Sequence, residues 1–180
     1  VSSGVERYCV YLEGETKGCI TNVNANSVEE KINIYRNGNY IIEVVDRAGN
    51  EFVTNANVVG IDKDAIGFDL VSSVSEGRFT NENVVVSIVN MRKALVEDVS
   101  SYVNNIDYVS LDYNSVIYSY EDAFTENVRR IYDKANDNEI ITSFNVSENK
   151  LYIVRIVDTA GNASYNHIKI NMIDTSNPLI

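Results

Sequence analysis

The chain says nearly the same thing twice. "YIIEVVDRAGNEFVTNANVVGID" begins at Tyr40, and "YIVRIVDTAGNASYNHIKINMID" begins at Tyr152, 112 residues later. Each opens on Tyr, reaches Asp six residues on, continues through Ala-Gly-Asn and closes on Ile-Asp at one identical distance. Two copies at so long a spacing read as a duplicated domain with a core in each copy. Solenoid repeats are shorter and need several neighbours before they bury anything. A chain of 180 residues has room for two small domains.

In the first copy, Tyr40, Ile42 and Val44 fall on one face of a period-two pattern, and Ile41, Glu43 and Val45 on the other. Asp46-Arg47-Ala48-Gly49-Asn50 interrupts it, and residues 51–61 resume in extended style. Two β-rich runs around an Asp/Gly/Asn cluster predict a hairpin. Gly49 offers a left-handed backbone position that is costly for a residue with Cβ. Asp46 can accept hydrogen bonds from the turn's own N–H groups. Asp158, Gly161 and Asn162 repeat Asp46, Gly49 and Asn50, and these six are read as structural turn residues.

The copies also align upstream. "GVERYCVY" (residues 4–11) is matched to "NVRRIYDK" (127–134), and "KINIYRNGN" (31–39) to "ITSFNVSEN" (141–149). Residues 65–73 and 82–90 predict two further strands around the turn-rich "VSEGRFTN". Nothing equivalent precedes Gly4, so the first domain is expected to lack its first two strands. The expected organisation is a partial domain at 1–62 and a complete one at 63–174, with 175–180 opening a further linker.

These features resemble bacterial immunoglobulin-like repeats of surface and secreted proteins: the "VxDxAGN" turn, the Ile-Asp linker after it, the strand "FTNENVVVSI" and the strand "SSGVERYCV". The resemblance covers about residues 1–90 and 127–178. It implies an all-β chain of tandem two-sheet sandwiches with Greek-key wiring. Neighbouring repeats of the same parent chain are then the first expected partners.

Residues 91–126 depart from the pattern. In "MRKALVEDVSSYVNNI", Leu95, Val99, Tyr102, Val103 and Ile106 recur at helical spacing, while "DYVSLDYNSVIYSY" alternates like a strand or two. The stretch is read as an insert of about 36 residues, part helical, inside the second domain. Its Tyr102, Tyr108, Tyr113, Tyr118 and Tyr120 are the candidate recognition residues for a glycan or protein, because tyrosine offers much contact area at low entropic cost.

Cys9 and Cys19 are the only cysteines, at a spacing that fits a bridge across a hairpin. Similar pairs occur in some bacterial repeats of this kind. A disulfide implies an oxidising, extracytoplasmic setting. Two buried thiols are the alternative. Two Cys with no nearby His or second Cys pair do not make a zinc site.

Net charge decides what to exclude. At −11, the chain lacks the clustered Lys and Arg that nucleic acid requires. No apolar run approaches the roughly 20 residues of a membrane-spanning helix, so membrane insertion is not expected. The single His167 has no nucleophile motif for a partner, and no phosphate loop or H-E-x-x-H is present. Acidic pairs such as Glu121-Asp122 are ordinary in so acidic a chain. The chain is therefore read as non-enzymatic and without a cofactor. Calcium is the minority reading, with Asp62, Asp64 and Asp69 as weak oxygen ligands at the junction. Asn145-Val146-Ser147 and Asn162-Ala163-Ser164 match the glycosylation sequon, as chance allows in an Asn-rich chain.

The expected function is a structural and adhesion spacer of a bacterial cell-surface or secreted multidomain protein, acting outside the cell. The alternatives are a recognition module built on the tyrosine-rich insert, or an accessory domain of a secreted glycosidase or peptidase.

Overall fold

The computed structural model describes residues 4–25, 29 and 31–177. Residues 178–180, within the stretch read as a further linker, lie outside the described residues. The chain divides into two compact units, Val1–Asp62 and Lys63–Ile180. Among the described residues there is no α-helix, and the fold is all-β.

The first unit is one four-stranded antiparallel sheet. Its strands are β1 (Val5–Leu12), β2 (Cys19–Ala25), β3 (Gly38–Asp46) and β4 (Glu51–Val58), in the order β2-β1-β3-β4. The second unit has two sheets. β5 (Gly67–Ser72), β6 (Val84–Arg92) and β9 (Ser143–Val146) form one, in the order β5-β6-β9. β7 (Val103–Asp112), β8 (Arg129–Asp133), β10 (Lys150–Asp158) and β11 (Ala163–Lys169) form the other, in the order β11-β10-β7-β8.

Alternation explains how the two sheets of the second unit close. Val84, Val86 and Ile88 all point inward from β6. Together with Ile66 and Phe68 they meet Ile106, Tyr132, Val154, Ile156 and Tyr152 of the facing sheet, all buried. Two antiparallel sheets of three and four strands, with the chain crossing between them before β7, β9 and β10, make an immunoglobulin-like β-sandwich.

The repeated segment folds alike in both units. In each unit the hairpin β3–β4 or β10–β11 carries three local devices, residue for residue. Tyr152 Oη donates to the Glu148 carbonyl at 2.9 Å, and Tyr40 Oη to the Arg36 carbonyl at 3.0 Å, the tyrosine corner of Greek-key sandwiches. Asp158 Oδ1 accepts from the N–H groups of Ala160 and Asn162, and Asp46 Oδ1 from those of Ala48 and Asn50. Gly49 and Gly161 sit at φ +85° and +88°, as the turn demands. Finally, Asn149 clasps both the N–H and the carbonyl of Ile173, as Asn37 clasps Ile61.

Register extends the match beyond the hairpin and redraws the upstream alignment. β1 corresponds to β7: Cys9 faces Glu43 and Cys19, as Asp107 faces Arg155 and Arg130. So residues 4–11 match the stretch beginning near Val103, and 127–134 is the neighbouring strand, the counterpart of β2. The shared Val and Arg had misdirected the pairing by one strand. Likewise the Asn clasp aligns residues 31–37 with 143–149, two positions from the match read in the sequence.

The segment 91–126 is correspondingly redrawn. Val103–Asp112 within it is β7, which lies between β10 and β8 and supplies Val103, Ile106 and Val109 to buried clusters. The helical spacing of Leu95, Val99, Tyr102, Val103 and Ile106 yields only a four-residue 3-10 turn, Val99–Tyr102. Val99 and Val103 are buried, but Leu95 is fully exposed at φ +60°. The burial that an extended β7 gains against β10 overrides the local period. What remains additional to the sandwich is the β7–β8 connection, residues 113–128, where the first unit has only 13–18 between β1 and β2.

Candidate functional site

β10 is apolar on both faces. Tyr152, Val154 and Ile156 enter the sandwich, which leaves Leu151 and Ile153 on the outer face beside Val109 of β7. Three large aliphatics on an outer face need a cover, since a strand apolar on both sides is one buried on both sides. Residues 113–128 provide it. Ile117, Tyr120, Ala123 and Phe124, the last two within the 3-10 turn Asp122–Thr125, pack over Val109, Leu151 and Ile153 as a separate cluster.

Aromatic and polar contacts fasten this strap to the edge strand β11. Tyr120 stacks on Tyr165 with ring centroids 5.8 Å apart, and its hydroxyl is 2.8 Å from His167 Nδ1. Phe124 leans on Tyr165 at 5.6 Å and takes the Arg155 guanidinium over its face at 4.5 Å. Under the strap, Arg155 Nη2 donates to the buried Asp107 carboxylate at 2.7 Å. Asn105 donates to it at 2.8 Å, and Arg130 pairs with its other oxygen.

Beside the strap lies a groove of about 430 Å³, walled by Ile117, Tyr118, Tyr120 and Leu151, with His167 and Lys169 on its polar side. Tyr118 is 94% exposed and Val116, on the rim, 67%. Lys169 Nζ stands 5.1 Å from the Tyr113 ring centre, and Asn171 Nδ2 donates to the Tyr113 hydroxyl at 3.3 Å. Ring faces flanked by hydroxyl, imidazole and ammonium groups can hold a ligand with both apolar and hydrogen-bonding surface.

The five tyrosines proposed from sequence do not share one surface. Tyr113, Tyr118 and Tyr120 gather on the strap. Tyr108 turns into the sandwich, stacked on Phe144 at 4.2 Å. Tyr102 lies at the opposite end of β7, where its carbonyl accepts the Thr159 N–H at 2.8 Å. Sequence reading missed His167, Lys169 and Phe124 as neighbours of this groove. The signal that pointed there was the run "LYIV" (residues 151–154), apolar at odd and even positions alike, which needs a cover on its second face.

A second polar feature sits at the hairpin end of the second unit. Lys93 Nζ is 2.8 Å from Asp158 Oδ2, both side chains are almost wholly buried, and Lys93 also donates to the Asp64 carbonyl. Burial pushes the Asp158 carboxyl up, but hydrogen bonds from Lys93 and Asn162 pull it further down, to below its ordinary value. The Asn162 side chain donates to Asp158 Oδ2, so this sequon asparagine is engaged in the turn.

Cys9 and Cys19 form a disulfide across the β1–β2 pair. Beside it Glu43 is buried and bonded by Lys17 at 2.6 Å and Arg7 at 3.3 Å; the Lys17 bond foremost holds its carboxyl low. Of the weak calcium candidates, Asp69 is engaged by Asn90 at 3.1 Å and Arg92 at 3.4 Å. Among the described residues, no three His, Cys, Asp or Glu side chains gather closely enough to hold a metal ion.

No protein-family model matches the chain, and no curated protein matches it. Among solved structures it is similar to fibronectin(III)-like modules of Clostridium thermocellum CbhA. Identity is 13%, over 96% of this chain and 80% of that one, with a TM-score of 0.34. A likeness at that level carries no argument about either unit, and the sandwich assignment stands on topology and register alone.

Proposed function

We propose that the chain is a non-enzymatic spacer of structural and adhesion type, belonging to a bacterial cell-surface or secreted multidomain protein. The observation that carries this is the residue-for-residue recurrence of tyrosine corner, Asp turn and Asn clasp in both units. Each device is local to its own unit. That each set of contacts stays within its own unit is in keeping with beads in an array. The Cys9–Cys19 bridge supports an oxidising, extracytoplasmic setting.

Pulling the whole chain by its ends tests the reading. Two separate unfolding events are expected, with the first unit lengthening further once the disulfide is reduced. A single all-or-none event would end the spacer interpretation.

A second reading is favoured by Tyr118, whose ring contributes to no buried cluster among the described residues. The strap groove would then hold a glycan or a protein segment against Tyr118, Tyr120 and His167. Titration of the labelled chain with neutral oligosaccharides tests it. Signals of Tyr118 and His167 should move together, and Tyr118→Ala should abolish the response without altering the fold.

A further inference from the structure

The outer face of β11 carries a row of side chains that the strap covers only in part. In the β10–β11 register, Arg155 stands opposite Tyr165, Ile153 opposite His167 and Leu151 opposite Lys169. Phe124 and Tyr120 lie on Tyr165, and the Tyr120 hydroxyl meets His167 Nδ1 at 2.8 Å. When that hydroxyl donates to Nδ1, the neutral imidazole holds its proton on Nε2, where it can be given to an anion. No group among the described residues bonds Nε2. The Lys169 ammonium lies over the Tyr113 ring, and among the described residues no carboxylate pairs with it. Same-face neighbours on a strand are about 6.8 Å apart, so groups at 167 and 169 can converge on one anion between them.

Charge sets this place apart from the rest of the surface. Asp and Glu outnumber Lys and Arg 26 to 15 across the chain, yet none of the residues walling the groove is acidic. Elsewhere the exposed cations find carboxylates, as Lys150 finds Glu148 at 2.6 Å and Arg36 finds Glu15 at 2.7 Å.

A second observation narrows the form of the ligand. A polypeptide would most readily join here by adding a strand to the edge at β11. At the groove that edge is already engaged by Asn166, whose Oδ1 accepts the His167 N–H at 2.8 Å while its Nδ2 donates to the Phe68 carbonyl at 2.9 Å. Recognition therefore falls to side chains: the exposed Tyr118 ring, the hydroxyls of Ser115 and Ser119, and the two basic groups. A pyranose offers a C–H face to an aromatic ring and hydroxyls to its polar rim, and a uronic acid adds the carboxylate.

We infer that the groove binds an acidic glycan, with a uronate carboxylate held by Lys169 Nζ and His167 Nε2 and its sugar ring lying on Tyr118. The inference rests on the recognition reading and adds to it the charge and class of the ligand.

The test titrates the labelled full chain with trigalacturonate and trimannuronate, each beside its methyl ester, which keeps the rings and removes the charge. Signals of Tyr118, His167 and Lys169 should move together, and the better acid should bind at least about fivefold more tightly than its ester. That preference should shrink as ionic strength rises. Lys169→Gln should bring the acid down to the affinity of the ester and leave the ester unchanged, with amide signals at Val154 and Ile156 reporting an intact fold. At a net charge of −11 the chain repels anions in general, so indiscriminate adsorption does not imitate this result. Acid and ester binding alike overturns the inference and leaves neutral recognition standing. Equal binding of a glutamate-rich peptide of the same charge overturns it by making the occupant a polypeptide. Movement of Lys169 with Tyr118 still overturns it by reducing the site to an ion contact. No response to either acid also overturns it, and the recognition reading falls with it only if neutral oligosaccharides leave Tyr118 unmoved as well.

Discussion

Lys93→Met removes the one cation from a pair that the second unit buries completely. The Lys93 and Asp158 side chains are 4% and 1% exposed, so neither charge has water to fall back on. Breaking a buried pair by deleting one partner costs about 3–5 kcal/mol, because the other charge is left uncompensated. Asp158 keeps three hydrogen bonds after the change, from the N–H groups of Ala160 and Asn162 and from the Asn162 amide, which places the expected loss near the lower end, about 3 kcal/mol. Hydrogen exchange at Val154 and Ile156, deep in the core, reads this loss in the second unit alone. Adding Asp158→Asn should recover part of it, with a coupling of about 2 kcal/mol in the double-mutant cycle. The pH dependence has a definite sign. A carboxyl whose folded pKa is depressed stabilises the fold at pH above its unfolded value, 3.8 for this group. That contribution is lost as pH falls through the folded value. The Lys93→Met penalty should therefore be complete at neutral pH and shrink below about pH 4. A penalty under about 1 kcal/mol at pH 7, or one that grows in acid, would refute the assignment of this pair as a compensated buried charge.

Reducing the Cys9–Cys19 bridge, which links residues 10 apart, should cost the first unit about 2–3 kcal/mol in the chain-entropy account. Faster amide exchange at Tyr8 and Ile42 with no change at Val154 is the expected signature. Gly49→Ala and Gly161→Ala should each cost about 1–2 kcal/mol from left-handed backbone alone, because a Cβ at either site meets nothing within 4 Å. Closely similar losses in the two units, read by urea denaturation, would show that the turns are energetically as well as geometrically alike. Tyr152→Phe should cost about 1 kcal/mol for the hydrogen bond to the Glu148 carbonyl. Burial first and foremost raises the Tyr152 phenol above its ordinary value, so the difference in ultraviolet titration between the parent chain and Tyr152→Phe should fall above the ordinary tyrosine range.

Legibility in the sequence followed how local each determinant is. The hairpins at Asp46 and Asp158 could be read because one short cluster holds every group the turn uses. The tyrosine corners and Asn clasps were also printed twice, but each acts at a distance of 4 or 24 residues, so the repeat was visible and the bonds were not. The central strand β7 was hidden for a different reason. Its counterpart β1 changed chemistry at the position that matters, Cys9 against Asp107, so the copies no longer resemble each other where they pair. Helical spacing through Val99 and Ile106 then filled the gap with the wrong period. The groove was half legible: a tyrosine-rich departure marked the strap, but only the fold could send Tyr108 inward and bring His167 to Tyr120.

The two outer faces separate what stability requires from what it does not. At matched positions, the link between the central strand and its neighbour is covalent in one unit, Cys9–Cys19, and ionic in the other, Asp107–Arg130. Glu43 then needs Lys17 and Arg7, as Asp107 needs Arg155. The first unit manages its outer face with the short connection 13–18, from which Lys17 reaches over the Tyr11 ring at 5.5 Å. The second unit, with Val109, Leu151 and Ile153 outward, needs a longer cover, and Ile117, Tyr120, Ala123 and Phe124 satisfy that need. Packing accounts for those four. It gives no reason for Val116 and Tyr118, which project from the same strap into solvent where a polar residue would cost nothing. A single exposed apolar side chain is ordinary. Two on the rim of a groove that also presents His167 and Lys169 are what the proposed recognition reading rests on, whereas Ile117, Tyr120, Ala123 and Phe124 already serve stability.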